Sequence, residues 1–217
     1  RRLRMTPVEF IGRGYLTGSA LRDYKENGTV YGHRVGFGLR DGDELPFALD
    51  TPTTKAETGH DVPMGFAQVR RLHPTETLLL SQVYQILRTE ARRRGLILAD
   101  TKLEFGRDSA GAVRLGDEVG TLDSSRYWDV QDWRTAMSSA DPALLVSRDK
   151  EFLRRWGKEI GIADRDPSRP EDIQWVHSLQ IPGEVVEELA KIYHEMFSQI
   201  TGMDVDMFWN IAKHSTQ

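Results

Sequence analysis

The chain has 217 residues, with 29 Lys and Arg against 33 Asp and Glu for a formal charge of −4, and its 39% hydrophobic content with abundant aromatics excludes a disordered chain. Its length suits one sizeable core or a large domain with an appendage, on roughly 100–200 residues per domain, and no apolar run approaches the ~20 residues that span a bilayer. The mild acidity lacks the basic footprint of nucleic-acid binders, and the absence of cysteine excludes a disulfide scaffold and thiolate-held zinc, so nucleic acid and membrane are not expected partners and a reducing, cytoplasmic setting is.

In chain order, Arg1-Arg2-Leu3-Arg4-Met5 opens with neither an initiator Met nor a secretory signal, which suits a fragment or a trimmed chain. Pro7 to Ile11 predicts a strand ended by a Gly12-Arg13-Gly14 turn. Thr17 or Ser19 can cap a short helix through Lys25, stopped by Asn27-Gly28. Residues 28–74, rich in Gly, Pro, Thr and Asp, read as loops and short strands. The strongest helix signal runs from Thr75 to Arg94. There Leu79, Val83, Ile86, Leu87 and Ala91 recur at helical spacing, and Gly95 follows the basic end Arg92-Arg93-Arg94. Those arginines suit the negative end of the helix dipole, with a phosphate site as the sharper alternative.

After Gly95 the period becomes two. Ile97, Ala99, Leu103 and Phe105 share one strand face and Asp100, Lys102 and Glu104 the other, with a local irregularity near Asp100. Gly106 to Gly111 predicts a hairpin into a second strand, Ala112 to Val119. Leu144 to Gly157 reads as a helix with Phe152, Leu153 and Trp156 on its apolar side, and Asp164 to Asp172 as a surface loop. A last helix, from Pro182 to Gly202, should bury Val186, Leu189, Tyr193, Met196 and Ile200. The fold class is α+β, a mixed α and β chain with central antiparallel strands flanked by helices.

Chemistry concentrates on the hairpin. Asp100, Lys102 and Glu104 lie ~6.5–7 Å apart along one strand face, a spacing that also occurs on ordinary exposed sheets. Asp117 falls on a face that otherwise reads as buried, where a carboxylate needs a cation, either Lys or a metal. A Glu and an Asp without His or Cys supply hard oxygens that suit magnesium beside nucleotide phosphates. Gly12-Arg13-Gly14 with Gly18-Ser19 could hold an anion such as phosphate, or could be a plain strand-ending turn. Asp123-Ser124-Ser125-Arg126 reads by itself as a turn.

In combination these segments resemble the SAICAR synthetase (phosphoribosylaminoimidazole-succinocarboxamide synthase) family. The resemblance rests on EFIGRGYLTGS from Glu9 to Ser19, TPTTKAE from Thr51 to Glu57 with His60-Asp61, and ADTKLEFG from Ala99 to Gly106. It continues through Asp117-Glu118-Val119, DSSRYW from Asp123 to Trp128, and SRDKEFLRRW from Ser147 to Trp156. It implies an ATP-dependent ligase of purine biosynthesis that joins L-aspartate to carboxyaminoimidazole ribonucleotide through an acyl phosphate. ATP and Mg2+ are the implied cofactors, and a homo-oligomer is compatible.

By the same resemblance, Glu104 and Asp117 hold magnesium beside ATP, and Lys102 lies between nucleotide and substrate. Asp100 orients Lys102 or acts nearer the chemistry. Arg13, Ser19 and Arg126 grip the ribose phosphate, Ser124 is a further substrate-binding residue, and Lys55, Glu57, His60 and Asp61 belong to the substrate loop. Lys150 and Arg154 suit carboxylates of aspartate or of the imidazole, against the alternative of a solvated basic helix face. Val62-Pro63-Met64, Gly120 and Leu122 depart from the family's pattern. Residues 1–6 are expected to be an interlobe link whose Arg4 and Met5 meet adenine, and residues 7–217 a C-terminal catalytic lobe with little activity alone. A small-molecule kinase on a related two-lobe plan and a non-catalytic nucleotide- or partner-binding lobe are the rival readings.

Overall fold

The computed structural model describes residues 2–55 and 62–214. The chain divides into two compact units, Arg1–Val146 and Ser147–Gln217. The first runs β1 (Arg4–Met5), β2 (Val8–Tyr15), α1 (Gly18–Asn27), β3 (Glu44–Asp50), β4 (Thr53–Thr54), α2 (Phe66–Leu72) and α3 (Pro74–Arg93), then β5 (Leu96–Leu103), β6 (Phe105–Arg107), β7 (Val113–Leu115), β8 (Ser125–Asp129) and α4 (Val130–Ser139). Its main sheet is antiparallel in the order β3-β2-β5-β8, with β4 also paired to β2. A smaller sheet has the order β1-β6-β7.

The Gly12-Arg13-Gly14 segment is strand interior, not the expected turn. Gly12 faces Thr101 and Asp50, and Arg13 faces Asp100 and Leu49, so both neighbouring strands pair across it. The glycines serve close packing: a Cβ on Gly12 would sit 3.2 Å from Tyr84 Cγ, and one on Gly14 2.3 Å from the Tyr84 hydroxyl. Tyr84 lies under them, fully buried, with its hydroxyl donating to the Leu98 carbonyl at 3.0 Å.

α1 and α3 form where the sequence predicts them. α1 ends on Gly28 in the left-handed region, whose N–H returns to the Tyr24 carbonyl. Of the predicted stripe on α3, Ala91 is buried and Leu79 and Val83 pack partly buried against the core; Leu80 and Tyr84 beside them are fully buried, whereas Ile86 is 63% exposed. The glycine-lined strand surface selects the long Tyr84 ring over the shorter aliphatic residues beside it. The basic end of α3 is used internally, with Arg92 donating to the Tyr15 hydroxyl at 2.6 Å and Arg93 pairing with Glu90 at 2.7 Å.

β5 contains the anticipated irregularity, a register shift against β8 between Leu98 and Asp100. The apolar residues predicted to share one face here, on β5 and the start of β6, separate into two clusters rather than one. Ile97 and Ala99 pack with Tyr15, Trp128 and Val130, while Leu103 and Phe105 pack with Val8, Phe10, Val69 and Leu80. The strand after the hairpin is shorter than predicted, because β7 stops at Leu115. In this unit two helices lie outside the predicted elements: α2, and α4, which is capped by the Asp129 carboxylate accepting from Gln131 N at 2.7 Å.

In the second unit, α5 (Glu151–Glu159) begins seven residues after the predicted start at Leu144, the start being fixed by Asp149, whose carboxylate accepts from Glu151 N at 2.8 Å and from the Ser147 hydroxyl. α6 (Pro170–Ser178) begins inside the segment expected to be loop. α7 (Gly183–Thr201) ends on Gly202 as predicted and buries Met196, although Val186 is half exposed. The predicted last helix is not the last: α8 (Val205–His214) follows it, started by Asp204, whose carboxylate accepts from Asp206 N at 2.9 Å. No helix among the described residues is long and apolar enough to cross a membrane.

Candidate active site

Two charged clusters are built on neighbouring residues of β5. In the first, the nearly buried Arg13 side chain reaches across from β2. Its Nη1 donates to Asp100 Oδ2 at 2.8 Å, its Nε to Thr51 Oγ1 at 2.8 Å, and its Nη2 to Ser19 Oγ at 3.1 Å. Arg126 on β8 adds a second guanidinium 3.4 Å from the same Asp100 oxygen. Ser19 lies in the first turn of α1, whose N-terminal end favours anions. The close approach there is strict: a Cβ on Gly18, at φ 58°, would meet Arg126 Nη1 at 2.7 Å. Two guanidiniums, a hydroxyl and a helix N-terminus around one carboxylate make a compact, net-cationic cradle.

Ser124 stands beside this cradle in a chain of hydroxyls. Its Oγ is 3.3 Å from Ser125 Oγ, which is 2.8 Å from the buried Thr101 Oγ1, and 3.1 Å from Thr121 Oγ1. This chain fixes the turn between β7 and β8, which carries Arg126 into place.

The second cluster centres on Lys102. Its Nζ lies 2.7 Å from Glu104 Oε1, 3.2 Å from Glu9 Oε1 and 3.8 Å from Asp117 Oδ2. The other Glu104 oxygen accepts from Lys55. Burial works against Lys102's charge, but the carboxylates outweigh it and hold its pKa above the ordinary lysine value. Burial likewise pushes Glu104 up, and hydrogen bonds from Lys102 and Lys55 overcome this, so its carboxyl stays below the ordinary range.

Three expectations change on this geometry. Asp100 binds Arg13 and Arg126, so it organises the cradle, while Lys102 is oriented by Glu104, Glu9 and Asp117. Asp117 lies beyond the end of β7 and is 46% exposed, not buried, because strand pairing ends at Leu115 and the last bond to the neighbouring segment is from Gly116 N to the Glu104 carbonyl. Glu104 is the buried carboxylate, at 4% exposure. Sequence reasoning passed over Glu9 and Thr51 as site residues. Both lie inside motifs already singled out, and only strand pairing reveals that they face the charged groups.

Arg4 and Met5 lie on β1 opposite Arg107 and Gly106, and a Cβ on Gly106 or Gly116 would collide with Met5. Glu57, His60 and Asp61 fall outside the described residues. Lys150 and Arg154 belong to the second unit, at the N-terminal end of α5, where Arg154 Nη1 is 3.4 Å from Glu151.

A further cavity of about 470 Å3 is lined by residues including Gly12, Asp50, Arg70, Thr77, Ser81 and Tyr84. Burial there pushes Asp50 from 3.8 to about 6, against an opposing pull from Arg70, and Asp50 Oδ1 has no hydrogen-bond partner among the described residues. Folded protein therefore holds a proton that unfolded chain releases, and stability falls as pH rises from 3.8 through about 6. Asp50→Asn is expected to remove that slope and to add ~2 kcal/mol at pH 7, as measured by urea unfolding at pH 4 and pH 7.

Comparison with known proteins identifies the family. The SAICAR synthetase family model matches residues 1–169, and the chain belongs to that family. The phosphoribosylaminoimidazole-succinocarboxamide synthase of Thermobifida fusca is 41% identical over 214 residues, covering 95% of this chain and 65% of that protein. The corresponding protein of Streptomyces avermitilis is 42% identical over 208 residues, covering 92% and 64%. The chain thus spans slightly less than two thirds of these relatives. Among solved structures, the SAICAR synthase of Saccharomyces cerevisiae complexed with SAICAR superposes with a TM-score of 0.71 at 30% identity, covering 94% of this chain and 62% of that one.

Proposed function

We propose that this chain provides the substrate site of an ATP-dependent carbon–nitrogen ligase that joins L-aspartate to carboxyaminoimidazole ribonucleotide, yielding SAICAR, ADP and phosphate. The observation that carries the reading is the Arg13–Asp100–Arg126 cradle, set two residues along β5 from the Lys102–Glu104 pair. A phosphate grip gathered around Asp100 and a charge-neutralising lysine two residues along the same strand suit a substrate with a ribose phosphate at one end and a reacting carboxylate at the other. The complex of the yeast relative with SAICAR supports the same substrate class.

Arg13, Arg126 and Ser19 bind and orient the ribose phosphate, with Ser124 supporting the turn that carries Arg126. Lys102 neutralises charge at the oxygens that exchange partners, and Lys55 contributes a second ammonium beside it. Glu57, His60 and Asp61 contribute to recognition of the substrate, and Lys150 and Arg154, on the second unit, are cations suited to a carboxylate. Arg4 and Met5 meet the adenine. ATP with its magnesium supplies the phosphoryl group that activates the substrate carboxylate.

The donor set fits such a cation. Glu104 and Asp117 both reach the same Lys102 ammonium, so two hard carboxylates converge there, and magnesium ordinarily takes one or two carboxylates with phosphate and water. No group of three or more metal-binding side chains occurs among the described residues.

Calorimetric titration of the chain with carboxyaminoimidazole ribonucleotide tests the reading. Binding is expected, weakened at least ~10-fold in Arg13→Ala and in Arg126→Ala, the range for a lost charge-assisted contact. Absence of binding, or unchanged affinity in both variants, would refute it.

A further inference from the structure

We infer that Glu9 is the positioning residue of this site: one carboxylate joins Thr53 on β4 to the Lys102 ammonium, and stays with Lys102 when Glu104 and Asp117 serve a bound cation. The second half of that statement rests on the cation assignment proposed above, and the first half does not.

The geometry forms a closed ring. Glu9 lies on β2 opposite Thr53 of β4, and two residues further along β2, Ile11 is opposite Lys102 of β5. One Glu9 oxygen lies 3.2 Å from Lys102 Nζ, and the other accepts from Thr53 Oγ1 at 3.2 Å. Lys102 continues to Glu104 at 2.7 Å, and the far oxygen of Glu104 accepts from Lys55. Thr53 and Lys55 are two residues apart on one backbone segment, so the ring runs Thr53, Glu9, Lys102, Glu104, Lys55 and back. Backbone bonds hold this segment at the same place, Lys55 N donating to Pro7 O and Thr54 N to Val62 O.

Among the three carboxylates around Lys102, Glu9 has a separate task. Glu104 is shared with Lys55, and Asp117 is the most distant and most exposed. A cation drawing on these two would take acceptors away from Lys102 and would repel its ammonium at short range. Glu9, held from behind by the Thr53 hydroxyl, keeps Lys102 from following Glu104 towards the cation and from competing for it. The same bonds tie the lysine to the segment immediately before residues 56–61.

Manganese binding, followed by its electron paramagnetic resonance signal, tests the coupling with Mn2+ as a probe for magnesium. Glu9→Gln is expected to weaken Mn2+ binding at least ~3-fold in the otherwise unchanged protein, and to have almost no effect in a Lys102→Met background. Equal weakening in both backgrounds would make Glu9 a through-space charge or a direct ligand and would overturn the inference. Failure of the unchanged protein to bind Mn2+ would overturn the cation assignment and with it the second half of the inference.

The first half has its own readout, metal-free amide hydrogen exchange at Thr54 and Lys55. Exchange is expected to speed up at least ~5-fold in both Glu9→Gln and Thr53→Val, with the double variant no faster than either single one. Unchanged exchange in a folded Glu9→Gln protein, or additive effects, would overturn the link through Thr53. Glu9→Asp, which keeps the charge but shortens the reach, is expected to behave as Glu9→Gln in the exchange measurement. Wild-type exchange in that variant would also overturn the geometric argument.

Discussion

Asp100→Ala is expected to cost about 3 kcal/mol of stability, within the range for removing one partner of a buried ion pair. Arg13 is 7% exposed and Asp100 15%, and the same Asp100 oxygen also attracts Arg126. Without it, a nearly buried guanidinium retains only the Thr51 and Ser19 hydroxyls and faces a second guanidinium with no anion between them. Asp100→Asn should cost less, since an amide oxygen can still accept from Arg13. Both variants raise the net positive charge of the cradle, so inorganic phosphate should bind more tightly to them than to the unchanged protein and restore part of the lost stability. Urea unfolding with and without phosphate checks both signs. Undiminished stability in Asp100→Ala, or weaker phosphate binding in Asp100→Asn, would remove Asp100 as the organiser of the cradle.

The second large effect is expected at Lys102. Lys102→Met deprives the 4%-exposed Glu104 of one of its two ammonium partners and Glu9 of its cation. A loss of about 2 kcal/mol at neutral pH is expected, less than for a fully buried pair because Lys102 retains some exposure. The pH dependence has a definite sign. Glu104 titrates below its ordinary 4.5 in the folded protein, so its pairing contributes stability above that pH and loses it as acid protonates the folded group. Lys102 titrates above its ordinary 10.5, so its contribution is complete below that value and disappears as pH rises past the folded value. Removing Lys102 lets burial push the Glu104 carboxyl back up, and the acid limb of stability should begin at a higher pH. Urea midpoints measured from pH 3 to pH 7 would show this. Turnover in the proposed ligase reaction is expected to fall about 10²–10³-fold, the scale for removing one preorganised charge at a reacting oxygen.

Local patterns made much of the fold legible. Gly28 and Gly202 mark helix ends because the left-handed conformation there suits glycine. The Pro74 start and 20-residue extent of α3 follow from one periodic run with a proline before it. Elements governed by distant partners were less legible. Gly12-Arg13-Gly14 has the local composition of a turn, and it is strand because β3 and β5 pair on both sides and Tyr84 fills the space left by the missing side chains. Helix α4 depends on the Asp129 cap following directly on a strand, and the core face of α3 extends beyond the predicted stripe to Leu80 and Tyr84 because the glycines of β2 leave room for the Tyr84 ring.

The site divides in the same way. Sequence alone determined the family, through ordered motifs from Glu9 to Trp156, and with it which ionisable residues to consider, because spacing along a strand and residue type are local properties. Pairing between strands far apart in sequence decided which charges meet. Asp100 is 87 residues from Arg13 and goes to the two arginines rather than to Lys102. Glu9, inconspicuous in the sequence, becomes the partner of Lys102 because β2 lies beside both β4 and β5. The tertiary structure also reversed the two magnesium candidates, burying Glu104 and exposing Asp117, because β7 ends at Leu115 and leaves the later carboxylate outside the sheet. Charge partnership depends on separations of a few ångströms across the sheet, which hydrogen-bond register sets and alternation along a single strand does not.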